Sequence, residues 1–350
     1  MAQAEGMVGR GAGVNPAGRF ERIVVQYDPA LRDPDEPPPK TEFYWDDSQS
    51  ILSKNNSPDL PFSYSINPYR GCEHGCSYCY ARPYHEYLGL SAGLDFETKI
   101  FVKRNAAGLL RDALMKPSWQ PQWISLSGVT DPYQPCEARF EITRSLLQVM
   151  AEFRQACGLI TKNALVTRDI DLLQDLARFD ATGVTLSITT LDETLRRKLE
   201  PRTATAARRL AAVKALADAG VPVGVNVAPI IPGLNDHEIA GILKQARDHG
   251  ASWAGHTIVR LPLSVAQVFE DWARREVPDA ADKIMKRIRQ ARGGALNNAD
   301  FATRMRGSGT RAEQITQLFQ LARRRAGFPE QRREFKVDNF RRPGDTRSLF

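Results

Sequence analysis

Three of the chain's five cysteines fall within the run Gly71-Cys72-Glu73-His74-Gly75-Cys76-Ser77-Tyr78-Cys79-Tyr80, spaced Cys-x3-Cys-x2-Cys. Thiolates this close in sequence reach one centre only if the backbone wraps tightly around it, and Gly71 and Gly75 supply the φ freedom such wrapping needs. Soft thiolate ligands select zinc, copper(I) or iron–sulfur clusters, and three without an evident fourth leave a coordination position open. The odd cysteine count, the length of 350 residues and a start, Met1-Ala2-Gln3-Ala4-Glu5-Gly6, with no charged-then-apolar pattern argue against a disulfide framework and export. A structural zinc site of the three cysteines plus His74 is the alternative, which would make the chain a zinc-stabilised nucleic-acid-binding protein; zinc ribbons, however, normally space their second cysteine pair more widely.

Cys72, Cys76 and Cys79, followed by Tyr80, resemble the cluster loop of radical S-adenosylmethionine (radical SAM) enzymes. The resemblance implies that the cysteines hold three irons of a 4Fe–4S cluster and that S-adenosylmethionine chelates the fourth. Reductive cleavage of the sulfonium would then give a 5′-deoxyadenosyl radical that abstracts hydrogen from a substrate. It further implies that Tyr78 packs near the adenine and that flavodoxin or ferredoxin delivers the electron. Thr130-Asp131, and Thr161-Lys162 with Leu165-Val166-Thr167-Arg168-Asp169, extend the resemblance to the spore photoproduct lyase-related branch, often described as DNA-repair-photolyase-like, over roughly Tyr64 to Leu261. That branch would place Asp131 and Lys162 on S-adenosylmethionine and Tyr80 beside the cluster as a radical relay. One departure concerns Gly128, which stands where the lyase keeps a hydrogen-returning cysteine. Cys136 is the substitute donor that the sequence offers, against the simpler reading of a small residue at a helix start.

A strand–helix alternation from Pro61 onward must position these residues. Strands are expected at Tyr64 to Tyr69, Trp123 to Ser127, Leu159 to Lys162, Val184 to Ile188, Val223 to Val227 and His256 to Leu261. Helices are expected at Ala106 to Met115, Glu137 to Arg154, Asp171 to Arg178, Arg208 to Ala219 and His237 to His249. This is an α/β chain with a partial (β/α)6 TIM-like barrel, in which sites assemble where the strands end. Asp131, Lys162, Ser187 and Asn226 all lie at or near such ends, and the resemblance implies for them an ammonium acceptor, a carboxylate partner, a hydroxyl for carboxylate or ribose, and part of an adenine-contacting segment. His85 is a possible acid or base but more simply a structural histidine. Arg202 could reach an anion, with Thr203 or Thr205 capping the next helix.

Three regions are expected: an irregular extension over 1–61 that wraps the core, the barrel over 62–264, and a helical, basic region over 265–350. In the extension, Arg22 to Tyr27 reads as a short strand and Thr41-Glu42-Phe43-Tyr44-Trp45 carries aromatic area enough to dock. Ala266 to Arg292 reads as helical with a break near Pro278, and Arg311 to Arg325 as a helix with Ile315, Leu318, Phe319 and Ala322 on one face. Net charge is +7, concentrated at the end: from Lys283 onward there are 17 Lys and Arg against 6 Asp and Glu. Arg323-Arg324-Arg325, Arg332-Arg333 and Arg341-Arg342 could track phosphates, a solvated charged tail being the commoner use of such runs. No run of about 18 apolar residues exists, so no membrane span is expected and the reading is a cytoplasmic protein of open oligomeric state.

Overall fold

The computed structural model describes residues 9–20, 39–330 and 333–344. The strand expected over Arg22 to Tyr27 lies outside them. Ten strands are present among the described residues: β1 (Glu42–Trp45), β2 (Leu52–Lys54), β3 (Tyr64–Ile66), β4 (Tyr69–Arg70), β5 (Lys99–Val102), β6 (Ile124–Leu126), β7 (Cys157–Thr161), β8 (Thr182–Ser187), β9 (Val223–Ile230) and β10 (Trp253–Ile258). The main sheet runs β2-β3-β6-β7-β8-β9-β10; its last six strands are parallel, and β2 adds an antiparallel edge to β3. The sheet stays open between β2 and β10, so the expected partial barrel is what the chain forms. A second sheet, β1-β5-β4, holds the aromatic segment of the extension, where Phe43 and Trp45 meet Phe140 edge-on and Tyr44 stacks on Phe101.

Helices fill the connections: α1 (Leu94–Thr98), α2 (Ala106–Met115), α3 (Glu137–Phe140), α4 (Ile142–Phe153), α5 (Ile170–Ala177), α6 (Glu193–Leu199), α7 (Ala206–Asp218), α8 (Ile239–Asp248), α9 (Ser264–Glu276), α10 (Ala281–Gln290) and α11 (Thr310–Arg325). The apolar faces of α2, α4, α5, α7, α8 and α11 meet the strands in one principal core, while α6, α9 and α10 share a second cluster with Cys76 and Tyr78 of the cysteine loop. Two expected elements come out divided. The first strand breaks at Asn67-Pro68, and β4 leaves for the second sheet, because proline cannot donate to the ladder. The helix expected over Glu137 to Arg154 is interrupted at Glu141, whose φ is +52°. There the buried Glu137 carboxylate accepts from the backbone N–H of Thr143 (3.0 Å) and Arg144 (3.3 Å), so it caps α4 from the preceding turn. The break near Pro278 falls between α9 and α10 as expected. In α11, Ile315, Phe319 and Ala322 are buried, whereas Leu318 stays 41% exposed.

The basic tail has a defined course. Arg333 and Lys336 pair with Asp180, the Arg341 N–H donates to the Phe153 carbonyl, and the Arg342 guanidinium donates to the carbonyls of Leu114, Lys116 and Trp119. Those acceptors immediately precede β8, β7 and β6, so residues 333–342 run along the face where the strands begin. Phe335 enters that face between Trp123 and Trp253, at 4.6 and 6.0 Å between ring centroids. Gly158, Gly183 and Gly224 make room: any Cβ on them would overlap Trp123, Phe335 or Trp253. Truncating a half-buried aromatic at such a junction is expected to cost about 2 kcal/mol. Phe335→Ala should lower the urea midpoint accordingly without altering the far-ultraviolet circular dichroism.

Candidate active site

The cysteine loop follows β4, on the face where the parallel strands end. Gly71 and Gly75 adopt φ of +76° and +68°, the left-handed values the spacing predicts. The loop is pinned from three sides through its backbone. The Cys72 N–H donates to the Phe96 carbonyl of α1 (2.9 Å). On the β6 side, Gln134 accepts from the Glu73 N–H (2.9 Å) and donates to the Gly71 carbonyl (3.1 Å). On the β8 side, the Ser77 N–H reaches the Leu199 carbonyl (3.1 Å) and the Arg202 N–H the His74 carbonyl (3.2 Å). Cys72 and Cys76 are buried, and Cys79 packs against both of their surroundings. Burial pushes all three thiols up, Cys76 to about 12.

This donor set fits an iron–sulfur cluster better than a lone ion. Among the described residues, no three His, Cys, Asp or Glu side chains could share a single metal ion. Thiolates that each hold a different iron need no such convergence. His74, the fourth donor of the zinc alternative, is buried with Nδ1 turned to Asp131 at 3.4 Å.

The strand-end residues divide by whether their polar groups are already engaged. Asp131 is fully engaged: Oδ1 accepts from the Thr161 hydroxyl (2.7 Å) and the Tyr133 N–H (2.9 Å), and Oδ2 from the Lys162 N–H (2.8 Å). Burial would raise its pKa, but His74 and these donors outweigh burial and hold it below the usual carboxylate range. Thr130 is buried and donates to the Tyr69 carbonyl (3.3 Å). Lys162 differs, since its ammonium has no hydrogen-bond or ion-pair partner among the described residues and lies 5.7 Å from the centre of the Tyr78 ring. Ser187 and Asn226 pair in register across β8 and β9, and neither side chain has a hydrogen bond among the described residues. Tyr80 is 42% exposed beside Cys79; its hydroxyl donates to the Gly128 carbonyl, with the Arg260 guanidinium 4.7 Å over its ring. Cys136 packs in the principal core just before α3, its thiol facing Glu73.

A family model described as the radical SAM superfamily matches residues 66–246, just over half of the chain. The chain belongs to the radical SAM superfamily. An uncharacterised protein of Mycobacterium tuberculosis is 36% identical over 247 residues, covering 69% of this chain and 72% of its own. One of Methanocaldococcus jannaschii is 32% identical over 175 residues, 50% of this chain and 63% of its own. Among solved structures, spore photoproduct lyase complexed with dinucleoside spore photoproduct superposes with a TM-score of 0.54 at 16% identity, covering 81% of this chain and 77% of that one. A lyase variant with bound AdoMet and dinucleoside spore photoproduct gives 0.52 at 18%, over 81% and 77%. These likenesses establish a shared fold for this radical SAM protein.

One network escaped the sequence reading. The Tyr78 hydroxyl donates to Glu200, which is buried against the equally buried Arg209 and also accepts from Thr189 (2.9 Å). Burial opposes the Glu200 charge, yet Arg209, Lys162 and Tyr78 hold its pKa below the usual value. The signal was Arg209 itself, a charge beside Leu210, Ala212 and Val213 on the buried side of α7; a buried charge demands a buried partner. Arg202 reaches Glu73 (2.9 Å) and the Thr41 hydroxyl, and Thr205 caps α7.

His85 is buried against Phe96 and Phe101, and burial pushes its pKa down to about 4. Because the folded value lies below the ordinary 6.5, the unfolded chain binds the extra proton between those values. The His85 contribution is therefore complete above pH 6.5 and lost as pH falls toward 4. Between pH 7 and 5 the wild type should lose about 2 kcal/mol that His85→Gln does not lose, measured by urea unfolding at both pH values. At Gly128 a Cβ would meet Asn67 at 3.4 Å and Ser65 at 3.6 Å, ordinary contacts. Gly128→Cys should therefore fold with its melting temperature within about 2 °C of wild type.

Proposed function

We propose that this radical SAM protein binds a 4Fe–4S cluster through Cys72, Cys76 and Cys79, cleaves S-adenosylmethionine reductively and abstracts hydrogen from a substrate. The observation that carries this reading is the pairing of three thiols on one pinned loop, two buried and Cys79 partly so, with the Lys162 ammonium, which has no hydrogen-bond or ion-pair partner among the described residues, directed at the same site. When bound, the cluster and S-adenosylmethionine supply a 5′-deoxyadenosyl radical. The chain's own residues bind and orient. Lys162 offers the charge for the ligand carboxylate, Ser187 and Asn226 offer unengaged groups for carboxylate or ribose, and Tyr78, anchored to Glu200, offers a ring face toward the adenine. Asp131 holds the ends of β6 and β7 together, and Thr130 ties the same loop to β4; a ligand ammonium would share an Asp131 oxygen with the protein donors already on it.

For hydrogen return we favour Tyr80, exposed beside Cys79, over Cys136, which is buried in the core. Nucleic acid is the substrate class we propose to test first, because spore photoproduct lyase, with the same fold, is seen complexed with dinucleoside spore photoproduct. The arginines of the tail lie at the opposite end of the strands, so a nucleic acid reaching the cluster would approach from the Tyr80 side. A soluble reductant such as flavodoxin or ferredoxin would supply the electron in a reducing cytoplasm; no helix among the described residues is long and apolar enough to cross a membrane.

Anaerobic reconstitution with iron and sulfide should give a brown protein which, once reduced, converts S-adenosylmethionine to methionine and 5′-deoxyadenosine. Cys76→Ala should lose both colour and cleavage. A colourless wild type holding one zinc, or cleavage retained in Cys76→Ala, overturns the reading. Deuterated thymine-containing DNA should pass deuterium to 5′-deoxyadenosine if DNA is the substrate.

A further inference from the structure

The chain's first described residues reach the cysteine loop from outside the family-matched region. Residues 10–16 cross beneath the loop. The N–H groups of Gly11 and Ala12 donate to the two Glu97 carboxylate oxygens, at 3.1 and 2.8 Å, and the Arg10 guanidinium to the Glu97 carbonyl, at 3.1 Å. Ala12 is fully buried with Leu94 and Val268. Asn15 brackets Asp95, and the Ser91 hydroxyl donates to the Pro16 carbonyl (2.7 Å). Gly11 lies so close to the loop that a methyl there would overlap the Gly75 carbonyl oxygen and crowd the Ser77 nitrogen. Neither group can move aside as a flexible side chain would.

Glu97 links this strap to a cluster ligand. Its carboxylate pairs with Arg82, both side chains being inaccessible to solvent. Arg82 in turn donates twice to the Cys76 carbonyl, at 3.0 and 2.8 Å, and once each to the carbonyls of Ala92 and Gly93. The carboxylate also sits under Gly75, 2.8 Å from where a Cβ would be.

We infer that the strap over residues 10–16, acting through Glu97 and Arg82, is a built part of the cluster site that positions Cys76 and sets the charge behind it. The inference rests on the cluster reading above. Gly11 and Glu97 are positioning residues, since each acts on the loop through protein groups: Gly11 against Gly75, and Glu97 through Arg82. Two consequences distinguish this role from plain stabilisation. Displacing the strap moves Cys76, which changes how the cluster is held. Neutralising Glu97 leaves the buried Arg82 cation unbalanced beside the loop, and an unbalanced positive charge favours the reduced cluster.

The test compares wild type, Gly11→Ala, Glu97→Gln and, as a strap control, Gly13→Ala, whose added methyl would have as nearest neighbours the side chains of Arg275 and Asp271 and no backbone atom of the loop. Each is followed by circular dichroism of the unloaded protein, by iron and sulfide content, and by the electron paramagnetic resonance spectrum and midpoint potential of the reconstituted cluster. Gly11→Ala should stay folded yet hold less than about half the iron or show an altered spectrum. Glu97→Gln should give a more positive potential, and Gly13→Ala should match wild type. Folded Gly11→Ala and Glu97→Gln proteins with wild-type iron, spectrum and potential overturn the inference while leaving the cluster reading intact. A wild type that takes up no iron–sulfur cluster fails the cluster reading itself. If both variants fail to fold, hydrogen exchange in the wild type decides. Loading the cluster should slow the Gly11 and Ala12 amides at least several-fold, and unchanged exchange overturns the inference.

Discussion

A guanidinium with no access to water must find its partners within the fold, and Arg82 finds them by gripping the cysteine loop. Its donors go to the Cys76, Ala92 and Gly93 carbonyls and to Glu97, and Glu97 accepts from Gly11 and Ala12 in return. Breaking a buried pair of this kind by removing one partner costs about 3–5 kcal/mol, because the other charge is left uncompensated. The loop, α1 and the strap are therefore one unit. Their geometry is set by hydrogen bonds among protein groups, and a site that must hold a cluster benefits from such support.

Charge is distributed across the site with the same economy. The carboxylates nearest the loop are satisfied by protein donors: Asp131 by Thr161, Tyr133 and Lys162, and Glu200 by Arg209, Tyr78 and Thr189. The Lys162 ammonium is left without such a partner at the end of β7. The proposed ligand brings its own carboxylate to such a site, and the neighbouring Ser187 and Asn226 add neutral side chains with no hydrogen bond among the described residues.

The two ends of the parallel strands have opposite fates. Where the strands begin, Trp123, Trp253 and Phe335 occupy space released by Gly158, Gly183 and Gly224, and the arginines of the tail cap carbonyls that the ends of α2 and α4 leave unpaired. Where the strands end, the loop, Lys162, Ser187 and the exposed Tyr80 collect. Aromatic packing closes one face, and the proposed site lies on the other. Residues 333–342 of the basic tail run along this closed face, with Arg333 and Lys336 paired to Asp180.

The cysteine spacing, the alternation of strand and helix, and the glycines at 71 and 75 were legible in the sequence because each is a local signal. A ligand set, a period of hydrophobicity and a φ requirement are all written in adjacent residues. The six parallel strands and most of the helices could be placed on that basis. The helix break at Glu141 was not legible, since it depends on Glu137 folding back to cap α4, and neither was the departure of β4 to a second sheet. The Glu200–Arg209 pair and the Arg82–Glu97–Gly11 chain lay beyond local reading for the same reason: their partners are 9, 15 and 86 residues apart, and only packing reveals which charges lose their water. Sequence alone thus determined the kind of chemistry, through three cysteines on a glycine-hinged loop. Tertiary structure decided what holds that loop and which strand-end groups stay free, because burial, which no single position encodes, forces each charged group to choose a partner.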